Sequence, residues 1–279
     1  MAPKTVLITG CSAGGIGGAI ALALAKLGHY VFATARDTNK IGPELLELPN
    51  VSALTLDVSK TASVQAAASA TAERGVDVII NNAGSGYTMP MLDVDIDAAQ
   101  KLYDTNVWGP VRMVQAFSEQ LIASRGRIVN INSSAANLNT PYLGSYLSSK
   151  AALKTISDTL RLELAPFGIT VVTVMAGVVN TLYGEPHFAL PATSHYSVNE
   201  ELISDWATGK TKPPGSSPEE FAELIMDDIV GDIKDVVVWK GYYADQMREL
   251  SRAPDLEIDS FMGRDRGLEN VGKTPQQGA

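Results

Sequence analysis

The sequence predicts an α/β protein built on a doubly wound parallel sheet. Short apolar runs alternate along the chain with longer helical patterns, as right-handed βαβ crossovers require. Most of these runs are continuously apolar, which is typical of parallel strands covered by helices on both faces. A glycine-rich turn joins the first run to the first helical pattern. We therefore expect one domain over residues 1–262 and a polar tail over residues 263–279.

The apolar runs predict the strands, and the stretches between them predict the helices. The predicted strands are Thr5–Thr9, Tyr30–Ala35, Val51–Leu56, Asp77–Asn81, Arg127–Ile131, Thr170–Met175 and Asp235–Trp239. The predicted helices are Ile16–Leu27, Thr61–Arg74, Asp97–Ser124, Ser145–Ala165 and Pro218–Val230. Pro166 and Gly168 end the fourth helix, because neither residue continues a helix well.

Two segments interrupt the alternation of strands and helices. Residues 182–217 contain four prolines, four aromatic residues and little periodicity. Since a loop of that length inside a compact domain is usually functional, we predict a helical substrate lid at about 182–217. The tail from Gly263 is polar and is predicted to fray.

Composition excludes several classes of partner. The net charge of −9 and the sequence pI of about 4.9 disfavour nucleic acid and anionic membrane surfaces. No uninterrupted apolar run reaches about 18 residues, so no membrane span is predicted. The strand-like run Val6–Ile8 leaves no room for a signal peptide. The single cysteine, Cys11, excludes an intrachain disulfide and indicates a reducing, cytoplasmic location. No metal site is predicted.

The glycine-rich turn predicts a phosphate-binding site. The first strand runs into Thr9-Gly10-Cys11-Ser12-Ala13-Gly14-Gly15-Ile16-Gly17-Gly18 and then into a helix. Such a turn lets a diphosphate sit on the amide groups at the helix N-terminus. The spacing does not meet the strict G-x-G-x-x-G pattern, and a turn without a ligand is the alternative. Within it, Cys11 is interpreted as a small residue tolerated by the turn rather than as a reactive thiolate.

The end of the second strand indicates which dinucleotide would bind. It reads Thr34-Ala35-Arg36-Asp37, about nineteen residues past Gly17. An acidic residue here would bind the ribose 2′-hydroxyl of NAD, whereas an arginine pairs with the 2′-phosphate of NADP. Arg36 therefore favours NADPH over NADH.

Tyr146 and Lys150 lie one helical turn apart and predict acid–base chemistry. A tyrosine titrates near pH 10, so alone it is a poor proton donor or acceptor at neutral pH. A cation on the same helix face is expected to lower that pKa towards the working range. The pattern Y-x-x-x-K also arises by chance on solvated helix faces, so other residues must decide.

These residues resemble the short-chain dehydrogenase/reductase family, in its single-domain branch. The glycine turn is similar to that family's T-G-x-x-x-G-x-G, and Asn81-Asn82-Ala83-Gly84 matches its N-N-A-G motif. Tyr146-x-x-x-Lys150 matches its catalytic pair, and the resemblance runs from about Thr5 to Thr181. The turn, the Ala-Thr-Ala-Arg strand end and the segment after N-N-A-G look most like fungal 1-acyldihydroxyacetone-phosphate reductase-like members. The resemblance implies a Rossmann fold and hydride transfer between NADP(H) and a carbonyl.

The resemblance assigns catalytic roles. Tyr146 would be the general acid, and Lys150 would lower the pKa of Tyr146 and hold the nicotinamide ribose. Ser133 would bind the carbonyl oxygen, with the adjacent Ser134 as the alternative. Asn106 would hold a water that links Lys150 to solvent.

The resemblance also assigns a cofactor site, although two turns depart from the family pattern. The implied cofactor residues are Gly10, Ser12, Gly15, Ile16, Gly17, Arg36, Asp57, Val58, Asn82, Ala83, Gly84, Tyr146, Lys150, Gly177, Val179 and Thr181. The first turn is one residue longer than the pattern. Ala176 stands where the family has a proline, beside Gly177.

The substrate is expected to be a mainly apolar ketone. The predicted pocket residues are Tyr87, Met89, Leu138, Tyr142, Tyr183 and Phe188. The lid contains only Lys210 and Lys212 as cations, which disfavours a phosphorylated substrate. Reduction of an imine or enone, and NADP binding without catalysis, remain alternatives. The helices Asp97–Ser124 and Ser145–Ala165 hold positions that the family often buries between subunits, which implies a homodimer or homotetramer.

Overall fold

The computed structural model describes residues 2–181, 188–211 and 213–272. Within these residues the strands are β1 (Thr5–Thr9), β2 (Tyr30–Ala35), β3 (Val51–Thr55), β4 (Val78–Asn81), β5 (Arg127–Ser133), β6 (Thr170–Ala176) and β7 (Val237–Lys240). They form one sheet in the order β3-β2-β1-β4-β5-β6-β7. Every neighbouring pair is parallel. The predicted doubly wound sheet is confirmed.

The helices of the described residues surround this sheet. They are α1 (Ile16–Lys26), α2 (Pro43–Leu46), α3 (Thr61–Thr71), α4 (Ile96–Tyr103), α5 (Gly109–Ser124), α6 (Gly144–Leu164), α7 (Glu200–Ala207), α8 (Pro218–Leu224), α9 (Met226–Val230), α10 (Ala244–Leu250) and α11 (Asp255–Met262). No helix in this part of the chain has the length and apolar character needed to cross a bilayer.

The core has two layers, one on each face of the sheet. Val6 and Ile8 of β1 pack in the layer that includes Phe221 of α8, whereas Leu7 packs in the layer with Phe117 of α5. All five side chains are fully buried. Successive residues of a strand point to opposite faces, so a strand covered on both sides must be apolar at every position. This explains the continuous apolar runs in the sequence.

The topology places a crevice at the carboxyl edge of the sheet. The chain winds outward from β1 through β2 to β3, then returns to β4 beside β1 and winds the other way. The loops that follow β1 and β4 therefore diverge, and ligands of open α/β sheets bind in the crevice between such loops.

Several helix boundaries differ from the prediction. The predicted helix Asp97–Ser124 is interrupted by a π-helical turn, Asp104–Trp108, between α4 and α5. Pro110 lies at the start of α5, where its missing amide hydrogen is tolerated. The predicted helix Pro218–Val230 divides at Ile225 into α8 and α9. Helices α2, α10 and α11 were not predicted, because segments this short carry little periodicity. Helix α7 lies within residues 182–217, where a helical lid was predicted.

The tail also differs from the prediction. Residues Leu268–Asn270 form a short 3₁₀ turn, and the backbone carbonyls of Arg266 and Gly267 accept hydrogen bonds from other parts of the chain. The expectation of fraying therefore does not hold for residues 263–272. Residues 273–279 lie outside the described residues.

Candidate active site

The glycine turn after β1 is joined to the turn after β4. Asn82 Nδ2 donates to the carbonyls of Thr9 (2.9 Å) and Gly10 (3.1 Å), and Thr9 Oγ1 accepts from the amides of Asn82 (3.0 Å) and Ala83 (2.9 Å). Gly10 has a φ of +77°, which favours glycine, and a Cβ on Gly17 would collide with Asn82 Nδ2 and Gly10 O. These contacts hold the two loops of the crevice in a fixed relation.

A cleft of about 740 Å³ opens between these loops. It is lined by every predicted cofactor residue except Gly17, which lies behind the turn. Its strand-end half comprises Gly10, Ser12–Ile16, Arg36, Asp57 and Asn82–Gly84. Its lid half comprises Trp206, Ala207, Gly209, Thr211 and Pro213. The volume lies within the range of about 300–1,000 Å³ that cofactor sites usually occupy.

The strand-end half fits a dinucleotide. Gly15 and Ile16 present the N-terminus of α1 to the cleft, where a diphosphate would meet free amide groups. Burial alone would raise the pKa of Asp57, but the hydrogen bonds from Ser59 Oγ (2.7 Å) and its amide (2.9 Å) and the nearby Arg36 and Lys60 lower it overall. Asp57 is therefore a carboxylate able to accept from an adenine amino group.

Tyr146, Lys150 and Ser133 meet at the centre of the cleft. Tyr146 and Lys150 lie on the first turns of α6, and Ser133 ends β5. All three line the cleft. Lys150 Nζ lies 6.0 Å from the centroid of the Tyr146 ring and donates to the carbonyl of Ile131 (3.1 Å). The sheet edge and one helix thus bring together the three groups that the sequence predicted.

The pKa of Tyr146 shifts in the direction opposite to the prediction. Burial raises it above its usual value near 10, and a side-chain hydrogen bond with Ser133 only partly offsets that rise. Burial also lowers the pKa of Lys150 to about 8. At neutral pH Tyr146 is therefore a protonated phenol, which suits a proton donor.

The two neighbouring serines differ in their placement. Ser133 lines the cleft, and its Oγ accepts from the amide of Ala135 (3.2 Å), so its proton is free to point elsewhere. Ser134 is buried, and its amide donates to the carbonyl of Ala176 (2.8 Å). Of these two serines, Ser133 is the one that shares a side-chain hydrogen bond with the Tyr146 phenol.

Asn106 lies in the π-helical turn behind the cleft wall. Its side chain accepts from the amide of Ser85 (2.9 Å) and donates to the carbonyl of Ser85 (2.9 Å) and to Ser149 Oγ (3.0 Å). Ser149 Oγ in turn donates to the carbonyl of Tyr146 (2.6 Å). Asn106 therefore ties the loop after β4 to the helix that carries Tyr146 and Lys150.

Asn132 lines the candidate active site, although its sequence context did not predict a role there. Its Oδ1 accepts from the amide of Ser133 (2.8 Å), and its Nδ2 donates to the carbonyl of Lys150 (3.1 Å). It is 3% exposed and lines the cleft. An asparagine beside the predicted catalytic serine was the available signal, but the contact with Lys150 arises only when β5 and α6 pack together.

The predicted substrate residues separate into those on the cleft and those away from it. Tyr87 lines the cleft. Met89 and Phe188 pack instead with Tyr142, under the lid. Leu138 packs against Ile258 and Met262, near the end of the chain. Tyr183 lies outside the described residues.

Burial explains why these apolar residues face away from the cleft. Leu138 and Tyr142 are 4% and 7% exposed, and each covers a neighbouring helix or lid surface. The lid half of the cleft is instead formed by residues that the sequence did not predict as pocket residues, among them Trp206. The one signal for Trp206 was its aromatic side chain within the predicted lid.

The buried thiol of Cys11 plays no part in this cleft. Cys11 is fully buried, its Sγ donates to the carbonyl of Ile8 (3.3 Å), and burial raises its pKa to about 12. Among the described residues, no cluster of three or more His, Cys, Asp or Glu side chains is placed to hold a metal ion.

The sheet, the crevice and the Ser133–Tyr146–Lys150 group define a dinucleotide-dependent oxidoreductase. Residues 4–189 match the family model described as short chain dehydrogenase, and the chain belongs to this short-chain dehydrogenase/reductase family. Its members transfer a hydride between a nicotinamide cofactor and a substrate.

Named relatives agree with this assignment. A short-chain dehydrogenase from Penicillium crustosum is 44% identical over 233 residues, covering 82% of this chain and 86% of the relative. The NADPH-dependent 1-acyldihydroxyacetone phosphate reductase of Schizosaccharomyces pombe is 35% identical over 282 residues, covering 94% of both. A short-chain dehydrogenase structure from Streptomyces avermitilis matches with a TM-score of 0.78 and 26% identity over 97% of both chains. The predicted family resemblance is confirmed.

Proposed function

We propose that this chain reduces a mainly apolar ketone to a secondary alcohol with NADPH. The observation that carries the proposal is the meeting of Tyr146, Ser133 and Lys150 at the centre of the cleft, with Lys150 Nζ 6.0 Å from the centroid of the Tyr146 ring. NADPH, when bound, supplies the hydride. The protein must then supply a proton to the carbonyl oxygen, and Tyr146 is placed to do so.

The neighbouring residues support that proton transfer. Ser133 would donate to the carbonyl oxygen as negative charge develops on it. Lys150 remains mostly cationic below its pKa of about 8, so near neutral pH its charge would stabilise the phenolate that Tyr146 leaves behind. Asn106 and Asn132 hold the helix and the strand end in register for these steps.

The preference for NADPH rests on Arg36. It is exposed at the end of β2 and lines the strand-end half of the cleft. A guanidinium binds a phosphate through two parallel hydrogen bonds, which suits the 2′-phosphate of NADPH. The NADPH dependence of the 35%-identical relative supports the same choice.

An uncharged substrate is supported by the residues around Tyr146. Leu143, Tyr87 and the lid half provide apolar or neutral walls. Among the described lining residues, the cations are Arg36, at the far end, and Lys150, within the catalytic group. A substrate phosphate would therefore find no separate cationic partner in this part of the chain.

We also propose that the protein is a homodimer or homotetramer that associates through α4 and α5. Ile96 (64% exposed) and Trp108 (51%) line a shallow groove on this face with Tyr103. Light scattering should report a dimer or tetramer, and Trp108→Lys should shift it towards the monomer. A wild-type monomer at micromolar concentration would contradict this assembly.

The function is tested by following the loss of NADPH absorbance with 2-decanone, acetophenone, a cyclic imine and a cyclohexenone. We expect reduction of at least one ketone and its loss in Tyr146→Phe. Tyr243→Phe is the matched control, because Tyr243 is a tyrosine outside the cleft. Faster turnover of the imine or enone than of every ketone would contradict the proposed substrate class.

A further inference from the structure

The C-terminal segment, residues 263–272, is held against the lid by two buried side chains. Tyr142 Oη donates to the carbonyl of Arg266 (2.8 Å), and Asn199 Nδ2 donates to the carbonyl of Gly267 (2.7 Å). Asn199 is 4% exposed. A buried donor without an acceptor destabilises the folded state, so both side chains favour the conformation in which the C-terminal segment packs against the lid.

The backbone of this segment is shaped for close approach. Gly267 has a φ of +67°, and a Cβ there would meet the amide group of Asn199 at 2.6–2.9 Å. A side chain at this position would therefore push the segment away from the lid. Glycine permits the contact that sets the position of the preceding residue, Arg266.

From this position the Arg266 guanidinium stacks on Trp206, a residue of the cleft wall. Its Cζ lies 3.2 Å from the centroid of the Trp206 ring, and Trp206 belongs to the lid half of the cleft. Within the described residues, no carboxylate forms a salt bridge with Arg266. The indole face is therefore the principal partner of this partly buried cation.

Arg266 does not itself line the cleft, nor does any other residue of the C-terminal segment. Its effect on a ligand must therefore pass through Trp206. The glycine turn is held separately by its hydrogen bonds with Asn82, so loss of this stack would free the indole without disturbing that turn.

We propose that Arg266 is a positioning residue of the substrate site, which holds the indole of Trp206 in the cleft wall and so sets the affinity for substrate. The C-terminal segment thereby becomes part of substrate recognition. The proposal rests on the function proposed above only in taking a ketone as the ligand of this half of the cleft.

The kinetic test compares Arg266→Ala with Arg264→Ala, a matched control because Arg264 is exposed on the same segment. With NADPH and 2-decanone or acetophenone, Arg266→Ala should raise the KM for the ketone about tenfold and leave kcat within about twofold. The Kd for NADPH should match the wild type. Equal KM values for the two variants would overturn the proposal.

A spectroscopic test is independent of turnover. Arg266→Ala should change the fluorescence of Trp206, and the difference should vanish in the Trp206→Phe background. An Arg266→Ala spectrum identical to the wild type would overturn the proposal even if ketones are reduced. If no ketone is reduced but the spectrum changes, the proposed function fails while the positioning role stands.

Arg266→Lys is a second variant that keeps the proposal testable if Arg266→Ala does not fold. It keeps the charge but loses the planar stack, so it should fold, raise the KM about threefold and retain part of the fluorescence signature. A folded Arg266→Lys with wild-type KM and an Arg266→Ala variant that does not fold would together indicate a purely structural role.

Discussion

The strand-end half of the cleft is formed by loops at the carboxyl ends of adjacent strands, whereas the lid half is formed by a short helix and the loop after it. In the strand-end half, four hydrogen bonds join Thr9 and Gly10, after β1, to Asn82 and Ala83, after β4. In the lid half, Trp206 is held from outside by Arg266, 60 residues further along the chain. The first half depends on the sheet, and the second depends on contacts between distant segments.

From this difference we expect the two halves of the cleft to serve different steps. The sheet fixes the geometry of the strand-end half and of Ser133, so changes there should act on catalysis or cofactor choice. The indole of Trp206 in the lid half is held by Arg266 from outside the cleft, so changes there should act on substrate affinity.

The largest effect is expected at Tyr146. Tyr146→Phe removes the proton donor and should lower kcat by at least about a thousandfold. The Kd for NADPH, measured by fluorescence titration, should stay within about threefold. A large loss of NADPH affinity would show that Tyr146 serves binding rather than proton transfer.

Lys150→Met should lower kcat by about a hundredfold and raise stability at neutral pH. The folded protein binds the Lys150 proton less tightly than the unfolded chain, since burial lowers its pKa to about 8 from 10.5. Wild-type stability should therefore rise between pH 8 and 10, where only the unfolded chain keeps this proton.

Urea unfolding at pH 7 and pH 9.5 measures this effect of Lys150. Lys150→Met should lose the pH-dependent gain, which is on the order of 2 kcal/mol between these two pH values. Lys154→Met, one helical turn later and paired with Asp158 at the surface, should keep it. An equal gain in both variants would contradict the account of Lys150.

At the far end of the strand-end half, Arg36→Ala should reduce the preference for NADPH over NADH by about 10- to 100-fold. The KM for NADH and the kcat should change little, because Arg36 is remote from Tyr146. Arg74→Ala is the control, since Arg74 stacks on Tyr30 outside the cleft. An unchanged cofactor ratio would reject the role of Arg36.

A smaller effect is expected at Asn132. Asn132→Ala removes the link between Ser133 and Lys150 and should lower kcat by about tenfold, with a stability cost of about 1–3 kcal/mol. Asn132→Asp should not restore the wild-type rate, because a carboxylate cannot donate to the carbonyl of Lys150. Wild-type kcat in both variants would exclude a positioning role.

The same contrast explains how much could be predicted from the sequence. The strand-end residues follow directly after apolar runs, and the carboxyl ends of parallel strands meet at one edge of the sheet, so residues as far apart as Thr9 and Asn82 come together. Their clustering along one cleft was therefore accessible from the topology alone. The pair Tyr146 and Lys150 could be predicted from helix periodicity, because residues four positions apart lie on the same helix face.

The remaining features depend on packing between distant segments. Leu138 and Tyr142 lie close to Tyr146 in sequence, but they cover the C-terminal region and the lid instead of the cleft. The pKa of Tyr146 was predicted from a nearby cation, whereas the burial that controls it appears only in the folded chain. Polar composition likewise suggested a frayed tail and gave no sign of the stack between Arg266 and Trp206.

Transfer of deuterium from NADPH labelled on its reactive face tests the central claim most directly. With 2-decanone as substrate, mass spectrometry should find the label at the carbinol carbon of 2-decanol, and Tyr146→Phe should form almost none while still binding the cofactor. Unlabelled product from the wild type, or undiminished transfer in Tyr146→Phe, would contradict the account.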